Sequence, residues 1–258
     1  MADLNHWRHR RSVRARARAA EFAAGASHLE GADLLEVAIK EAFVGDIAIA
    51  SSFGTEAVAL LALAAEIDPA VPVIFLDTGK LFPEALAYRR TVVEHLGLTH
   101  VRTAGPDILD IAAIDASGDL WKRQPDACCY LRKVVPLVQA VTPYGAWITG
   151  RKRYQGDGRA ALQPIEASDG WVKINPLAHW TKQDIFGLIA QRKLPKHPLL
   201  EHGYLSVGCQ PCTQPVTPLG DERDRRWSGQ DKSECGIHTI APEAPLGHAG
   251  SGDQGATI

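Results

Sequence analysis

No apolar run in the 258-residue chain is long enough to cross a bilayer, and no secretory leader is recognisable. Net charge is nearly absent too: 28 Lys and Arg against 30 Asp and Glu leave −2, which argues against a general nucleic-acid binder. Five cysteines are too few for a disulfide scaffold at this length, and thiols kept reduced point to a cytoplasmic protein without membrane or nucleic-acid partners. Internal repeats are not evident. What remains, 45% hydrophobic and 22% charged residues, suits a soluble globular chain with one α/β domain or one domain with appendages. Charge is nevertheless uneven, with arginines gathered from Arg8 to Arg18 and from Arg223 to Arg226. Residues 1–25 read as a solvated basic helical arm, with Trp7, Val13 and Phe22 as its anchors. Asp3 and Glu21 argue against a transit peptide.

Residues 30–43 place Leu34, Leu35, Ala38, Ile39 and Ala42 at helical spacing. After Gly45-Asp46, the apolar run 47–50 suits a buried parallel strand. Ser51-Ser52-Phe53-Gly54-Thr55-Glu56 then leads into residues 57–67, apolar on nearly every face. Hydroxyls and N–H groups at a helix start favour an anion, although any strand-to-helix unit has a loop there. It is not a Walker loop, because no Gly-Lys-Ser/Thr follows. Residues 71–76 form a second strand ending in Asp77-Thr78-Gly79-Lys80, at the strand end where open α/β sheets bind ligands. A helix follows from Pro83 to about Leu96, a strand over 99–102, and a helix over 107–114. Residues 146–149 and 171–174 read as further strands, and 181–192 as a helix capped by Thr181. This alternation implies an α/β fold with a mostly parallel sheet covered on both faces. From Thr239 onward the composition is that of a disordered tail.

The cysteines divide into Cys128-Cys129, Cys209-Gln210-Pro211-Cys212 and a lone Cys235. The first pair precedes a helical stripe of Leu131, Val134, Val135 and Val138, which Pro136 would kink if it lies beyond the first turn. Alone, a Cys-x-x-Cys is a redox dithiol and a Cys-Cys two buried thiols; together they are four candidate ligands for zinc or an iron–sulfur cluster. Tandem cysteines are awkward for one tetrahedral ion, whereas a cube presents separate irons to neighbouring sulfurs. Lys133, within two turns, could offset thiolate charge, although a lysine on a solvated face is the commoner case.

Cys235 sits in Ser233-Glu234-Cys235-Gly236-Ile237-His238, where the glycine lets the chain turn beside the sulfur. A thiol with pKa near 8.5 is only about 3% ionised at pH 7, and a drop of roughly two units makes it about three-quarters thiolate. His238, Arg223 and Arg226 are the cations available for such a drop; Glu234 opposes it.

Ser51 to Glu56, Leu76-Asp77-Thr78-Gly79, Cys128-Cys129 with Arg132-Lys133, Gly208 to Cys212 and Glu234 to His238 stand in one familiar order and spacing. From about Gly45 to His238 the chain resembles the adenylyl-sulfate reductases of the phosphoadenylyl-sulfate reductase family. The resemblance implies an adenine-nucleotide α-hydrolase-like sheet with a modified pyrophosphatase loop. With the composition at both ends, the expected division is a basic arm at 1–25, a nucleotide-binding α/β domain at 26–200, a cluster loop and catalytic segment at 201–238, and a disordered, mobile tail at 239–258. Cys235 would attack adenylyl sulfate, release AMP and carry an S-sulfo group that thioredoxin or a similar dithiol cleaves to sulfite. Cys128, Cys129, Cys209 and Cys212 would hold a 4Fe–4S cluster. Lys133, Arg223, Arg226 and His238 would contact the phosphosulfate; Ser51, Ser52, Phe53, Gly54, Thr55, Glu56, Leu76, Asp77, Thr78 and Gly79 would hold the nucleotide. Phosphoadenylyl-sulfate reduction is the alternative, and a homo-oligomer is compatible with the sequence. An ATP-pyrophosphatase-type ligase would need a Ser-Gly-Gly-x-Asp-Ser loop that Ser51 to Glu56 does not spell. Two departures stand out. Gly150-Arg151-Lys152-Arg153-Tyr154-Gln155-Gly156 replaces the usual Gly-x-Arg-Arg-Asp/Glu-Gln-Ser, and the aromatic cluster usual between Trp227 and Cys235 is missing.

Overall fold

The computed structural model describes residues 2–216, 226–227, 232 and 234–238. Arg223 and the expected tail at 239–258 lie outside the described residues. Six strands form one sheet in the order β3-β2-β1-β4-β6-β5: β1 Ile47–Ser51, β2 Val73–Leu76, β3 Val101–Ala104, β4 Ala146–Thr149, β5 Ile165–Ser168 and β6 Trp171–Ile174. Each pairing is parallel except β5 against β6. β1 and β4 sit at the centre, in register from Ile47 opposite Ala146 to Ala50 opposite Thr149.

Strands buried on both faces need apolar side chains on both, which is why β1, β2 and β4 read as continuous runs. Ile47, Ile49, Val73, Phe75 and Ile148 point into one core. That core is completed by helices α2 Gly31–Val37, α3 Ala57–Ile67, α4 Pro83–Leu96 and α9 Lys182–Gln191. Ala48, Ile74 and Trp147 point to the other face, against Leu137, Ala140 and Val141 of α8 Val135–Val141. Between these lie α5 Ile108–Ile114, α6 Leu120–Arg123 and α7 Pro125–Cys129. Helix α9 opens as expected, with a reciprocal capping box between Thr181 and Asp184. The second helix continues past α2 as a π turn over Ala38–Ala42, and the third strand begins two residues later than the sequence implied.

The basic arm is a helix, α1 Ala2–Ala26, but it is docked, not solvated. Ala15, Ala19, Phe22 and Ala26 recur at helical spacing and are buried, and Phe22 meets Phe43 edge-on at 5.3 Å. Arg11 donates to the carbonyls of Gly170, Thr142 and Tyr144 at 3.1, 3.0 and 2.6 Å and lies over the Trp171 ring. A small-residue stripe thus packs the helix on β5 and β6 despite its charge; of the named anchors Phe22 is buried, while Trp7 and Val13 are exposed.

Sequence reading missed β5. It is a half-buried edge strand joined to β6 by Asp169-Gly170, both at positive φ (56° and 91°), a two-residue hairpin turn of a type that favours Asp-Gly.

Candidate active site

The chain crosses from one half of the sheet to the other between β1 and β4, and open α/β sheets leave a crevice at such a reversal. A cleft opens there. Its floor is Ala50, Ser51, Leu76, Thr149 and Gly150, and one wall is the loop leading into α3, with Ser52, Gly54, Thr55 and Glu56. Phe53 anchors that loop from below: it is buried, edge-on to Phe75 at 5.6 Å, and its N–H donates to the Ser51 hydroxyl at 3.2 Å. Its φ of 49° is left-handed, a conformation costing a non-glycine residue on the order of 1 kcal/mol and retained where surroundings enforce it. Thr55 ties the loop to residue 205, its hydroxyl donating to the Leu205 carbonyl at 2.7 Å.

Glu56 is buried in a cage built by the segment after β4. Lys152 Nζ is 2.6 Å from one carboxylate oxygen, and the Tyr154 hydroxyl and Gln155 amide each donate at 2.7 Å. Burial alone would push this carboxyl up; Lys152, with the two hydrogen bonds, holds it below the usual glutamate value. Lys152 and Tyr154, the departures noted in the sequence, are therefore partners of one another's ligand.

The opposite wall carries Lys133, Arg226, Glu234, Cys235, Ile237 and His238. Cys235 is a free, half-buried thiol, and Gly236 beside it adopts φ 81°, the turn its identity anticipated. The His238 ring stacks on Trp147 at 5.8 Å, with planes 5° apart, and Lys173 Nζ donates to the His238 carbonyl at 2.8 Å. Arg226 lies over the Trp227 ring and across Gly208, and the Trp227 N–H donates to the Cys212 carbonyl at 3.0 Å. This straps residues 226–227 to the Cys-x-x-Cys loop.

Lys133 reaches the cleft from an irregular helix. A π turn over Tyr130–Val134 joins α7 to α8, with the Val135 N–H bonding back to Tyr130. The wider turn ends just before Val135-Pro136, so the proline, with no N–H to give, falls in the first turn of α8. Arg132 and Lys133 both turn inward. Arg132 holds Asp115 at 2.6 Å and the Thr78 carbonyl at 2.8 Å. Burial would depress the Lys133 ammonium, but nearby Cys209, Cys235 and Cys129 raise it above its ordinary value.

Lys133 and Cys209 line both the cleft and a smaller cavity next to it. That cavity is walled by Cys128, Cys129, Cys209 and Cys212 together with Lys80, Trp121 and Arg132. The four thiols are free, and the Cys209 sulfur lies 3.2 Å from the Thr78 hydroxyl. Burial pushes Cys128 up to about 12 and Cys212 up to about 11, and raises Cys129. Among the described residues, no group of three or more His, Cys, Asp or Glu side chains is disposed to hold a metal ion.

The model of the phosphoadenosine phosphosulfate reductase domain matches residues 46–215, the stretch that builds the sheet, the cleft loop and the sulfur-lined cavity. The chain belongs to this family. The adenosine 5'-phosphosulfate reductase of Mesorhizobium japonicum is 47% identical over 89% of this chain and 91% of its own length. Among solved structures, phosphoadenylyl-sulfate reductase from Candida auris is 28% identical, with TM-score 0.55, over 66% of this chain and 83% of that one. Yeast FAD synthetase, 16% identical with TM-score 0.50 over 78% and 75% of the two chains, shares the fold alone. The adenine-nucleotide α-hydrolase-like sheet expected from the sequence is the one found.

Of the residues the sequence singled out, Ser51, Ser52, Gly54, Thr55, Glu56, Leu76, Thr78, Lys133, Arg226, Cys235 and His238 line this family member's cleft. Phe53, Asp77 and Gly79 are not on its walls. Asp77 accepts from the Gly79 N–H at 2.9 Å and so shapes the turn beneath it. Sequence reading passed over Arg159, another cleft cation, and left Arg151 without a role. Arg151 pairs with Glu166, on the unforeseen strand β5, so its setting became readable only with the hairpin in place.

Proposed function

We propose that the chain reduces adenylyl sulfate to sulfite and AMP, through a covalent S-sulfo group on Cys235, in the cytoplasmic assimilation of sulfate. The thiolate attacks the sulfate sulfur; an S–S bond forms, the S–O bond to AMP breaks, and AMP leaves with that electron pair. A dithiol protein of the thioredoxin kind then attacks the Cys235 sulfur, displacing sulfite. Its second thiol resolves the mixed disulfide and restores Cys235, so the dithiol is oxidised as the sulfonyl sulfur is reduced. The observation that carries this reading is one cleft holding the lone thiol, Lys133, Arg226 and His238 on one side and the loop before α3 on the other. A helix start lined by serine and threonine hydroxyls suits a phosphate, and clustered cations suit a phosphosulfate. Identity of 47% to a relative bearing the adenylyl-sulfate name favours that nucleotide over its 3'-phosphorylated form.

On the same reading residues 26–200 form the nucleotide-binding body and 201–238 the segment bringing the last three cysteines to it. Cys128, Cys129, Cys209 and Cys212 would hold a 4Fe–4S cluster. Four free thiols around one cavity, with Arg132 and Lys133 beside it, fit an anionic group, and the tandem Cys128-Cys129 suits separate irons better than one zinc ion. When bound, such a cluster supplies a covalent cross-link between α7 and the Cys-x-x-Cys loop, and fixed charge next to Lys133.

The test is intact mass after incubating reduced protein with adenylyl sulfate and no dithiol. One SO₃ unit is expected on Cys235, and Cys235→Ser should lose both the adduct and sulfite release while keeping its iron. Normal turnover without any adduct would refute the covalent route. Colourless protein lacking iron after anaerobic purification would refute the cluster.

A further inference from the structure

The geometry points to Arg159 as a positioning residue for the nucleophile, acting through Glu234 and coupled to the anion loop through Gln155. This rests on the reading of Cys235 as the attacking thiol. An acid next to that thiol is a liability, since it disfavours the thiolate and repels an anionic substrate. Here the acid is neutralised and turned into an anchor. Arg159 Nε and Nη2 hold the two Glu234 carboxylate oxygens at 2.7 and 2.9 Å, and the Arg159 side chain is only 10% exposed. This bidentate fork fixes direction as well as distance.

Arg159 is itself held. It closes a 3₁₀ turn over Asp157–Arg159, and its Nη1 donates to Gln155 Oε1 at 2.6 Å. The Gln155 amide donates to Glu56, the residue immediately before α3. Side chains alone therefore connect the start of α3, across the cleft, to the residue before Cys235. The residues after the thiol are fixed from another direction, by Lys173 on the His238 carbonyl and Trp147 under its ring. Cys235 hangs between these two anchors with Gly236 as the turn. Because Arg159 also lines the cleft, the competing role is direct contact with substrate, which makes no use of Glu234.

The experiment compares Arg159→Gln, Glu234→Gln and the double variant in the full chain with its iron retained. Two rates are read: SO₃ adduct formation from adenylyl sulfate without dithiol, and nucleotide-free alkylation of Cys235 by iodoacetamide, followed by peptide mass. Losing the fork leaves a carboxylate beside the thiol and an unanchored nucleophile, so Arg159→Gln should slow both rates roughly 10- to 100-fold. Removing the opposing charge in the double variant should recover at least about 3-fold of that loss in each. Arg159→Lys, which keeps charge but loses the fork, should fall between and serves if the Gln variant does not fold. A double variant as slow as Arg159→Gln, or unchanged alkylation in Arg159→Gln, would overturn the inference and make Arg159 a substrate contact. Absence of an adduct in the unmodified protein would instead strike the reading of the reaction, and the alkylation rates would still judge Arg159.

Discussion

Replacing Lys152 with methionine removes the one cation that pairs with Glu56 among the described residues while keeping the volume of the side chain. Both residues are buried, at 2% and 8% exposure, so water cannot take over. Breaking a buried pair from one side costs about 3–5 kcal/mol. Tyr154 and Gln155 still donate to the carboxylate, which places the loss near about 3 kcal/mol at pH 7.5. For a chain of this size that is roughly 6–12 °C in Tm. The pH dependence has a definite sign. In the unmodified protein the Glu56 carboxyl is held below its ordinary value, so its contribution is complete above that value and is lost as pH falls through the folded one. Without Lys152, burial dominates and the folded value moves above the ordinary one, so stability is lost as pH rises through it. The deficit of the variant should therefore be largest at pH 7.5 and shrink toward pH 5. Urea unfolding followed by tryptophan fluorescence across that range measures it. A loss under about 1 kcal/mol at pH 7.5, or one equal at both ends, would refute the cage as an electrostatic unit. The companion Glu56→Gln/Lys152→Met should regain most of the loss, because no buried charge is then unpaired.

Two further outcomes follow from packing and burial. A Cβ at Gly208 would overlap Arg226 Nη2 and Cζ, so Gly208→Ala must displace that guanidinium. A rise in KM for the nucleotide of about 10-fold with little change in iron content is expected, and steady-state kinetics with iron analysis reads both. His197 is buried against Tyr88, accepts from the Leu199 N–H, and is pushed down to about 4 by burial. It therefore stays neutral in the fold while the unfolded chain takes up a proton below pH about 6.5. Stability should fall as pH drops from there toward 4, by up to about 1.4 kcal/mol per unit, and a His197→Asn variant should lose that slope.

The central sheet was legible because β1, β2 and β4 are buried on both sides and so spell unbroken apolar runs. The thiol, the paired cysteines and the loop into α3 were legible because each is a contiguous word in the chain. Position across the chain was not. The Lys152 and Tyr154 departures looked like losses until Glu56, nearly a hundred residues earlier, appeared as their shared partner. Arg159 carries no local signature at all; its meaning lies in Glu234, 75 residues away. In α1 the arginines masked the alanine stripe that docks it, since a small side chain leaves a weak hydropathy signal but a close fit. The edge strand β5 announced itself only by the Asp169-Gly170 turn.

The π turn over Tyr130–Val134 works as a phase slip along an otherwise continuous rod. Before it, Ala127 and Cys128 face one apolar cluster with Leu120, which Leu131 within the turn joins; after it, Leu137, Ala140 and Val141 face another under the sheet. Each residue of a regular helix advances the azimuth by about 100°. Excising one residue here would straighten the rod and swing either the sulfur pair or the sheet-facing apolar stripe off its mark, with Lys133 carried along. A single-residue deletion in this turn is thus a rotation of the whole upstream helix, felt at once in the cavity and in the cleft.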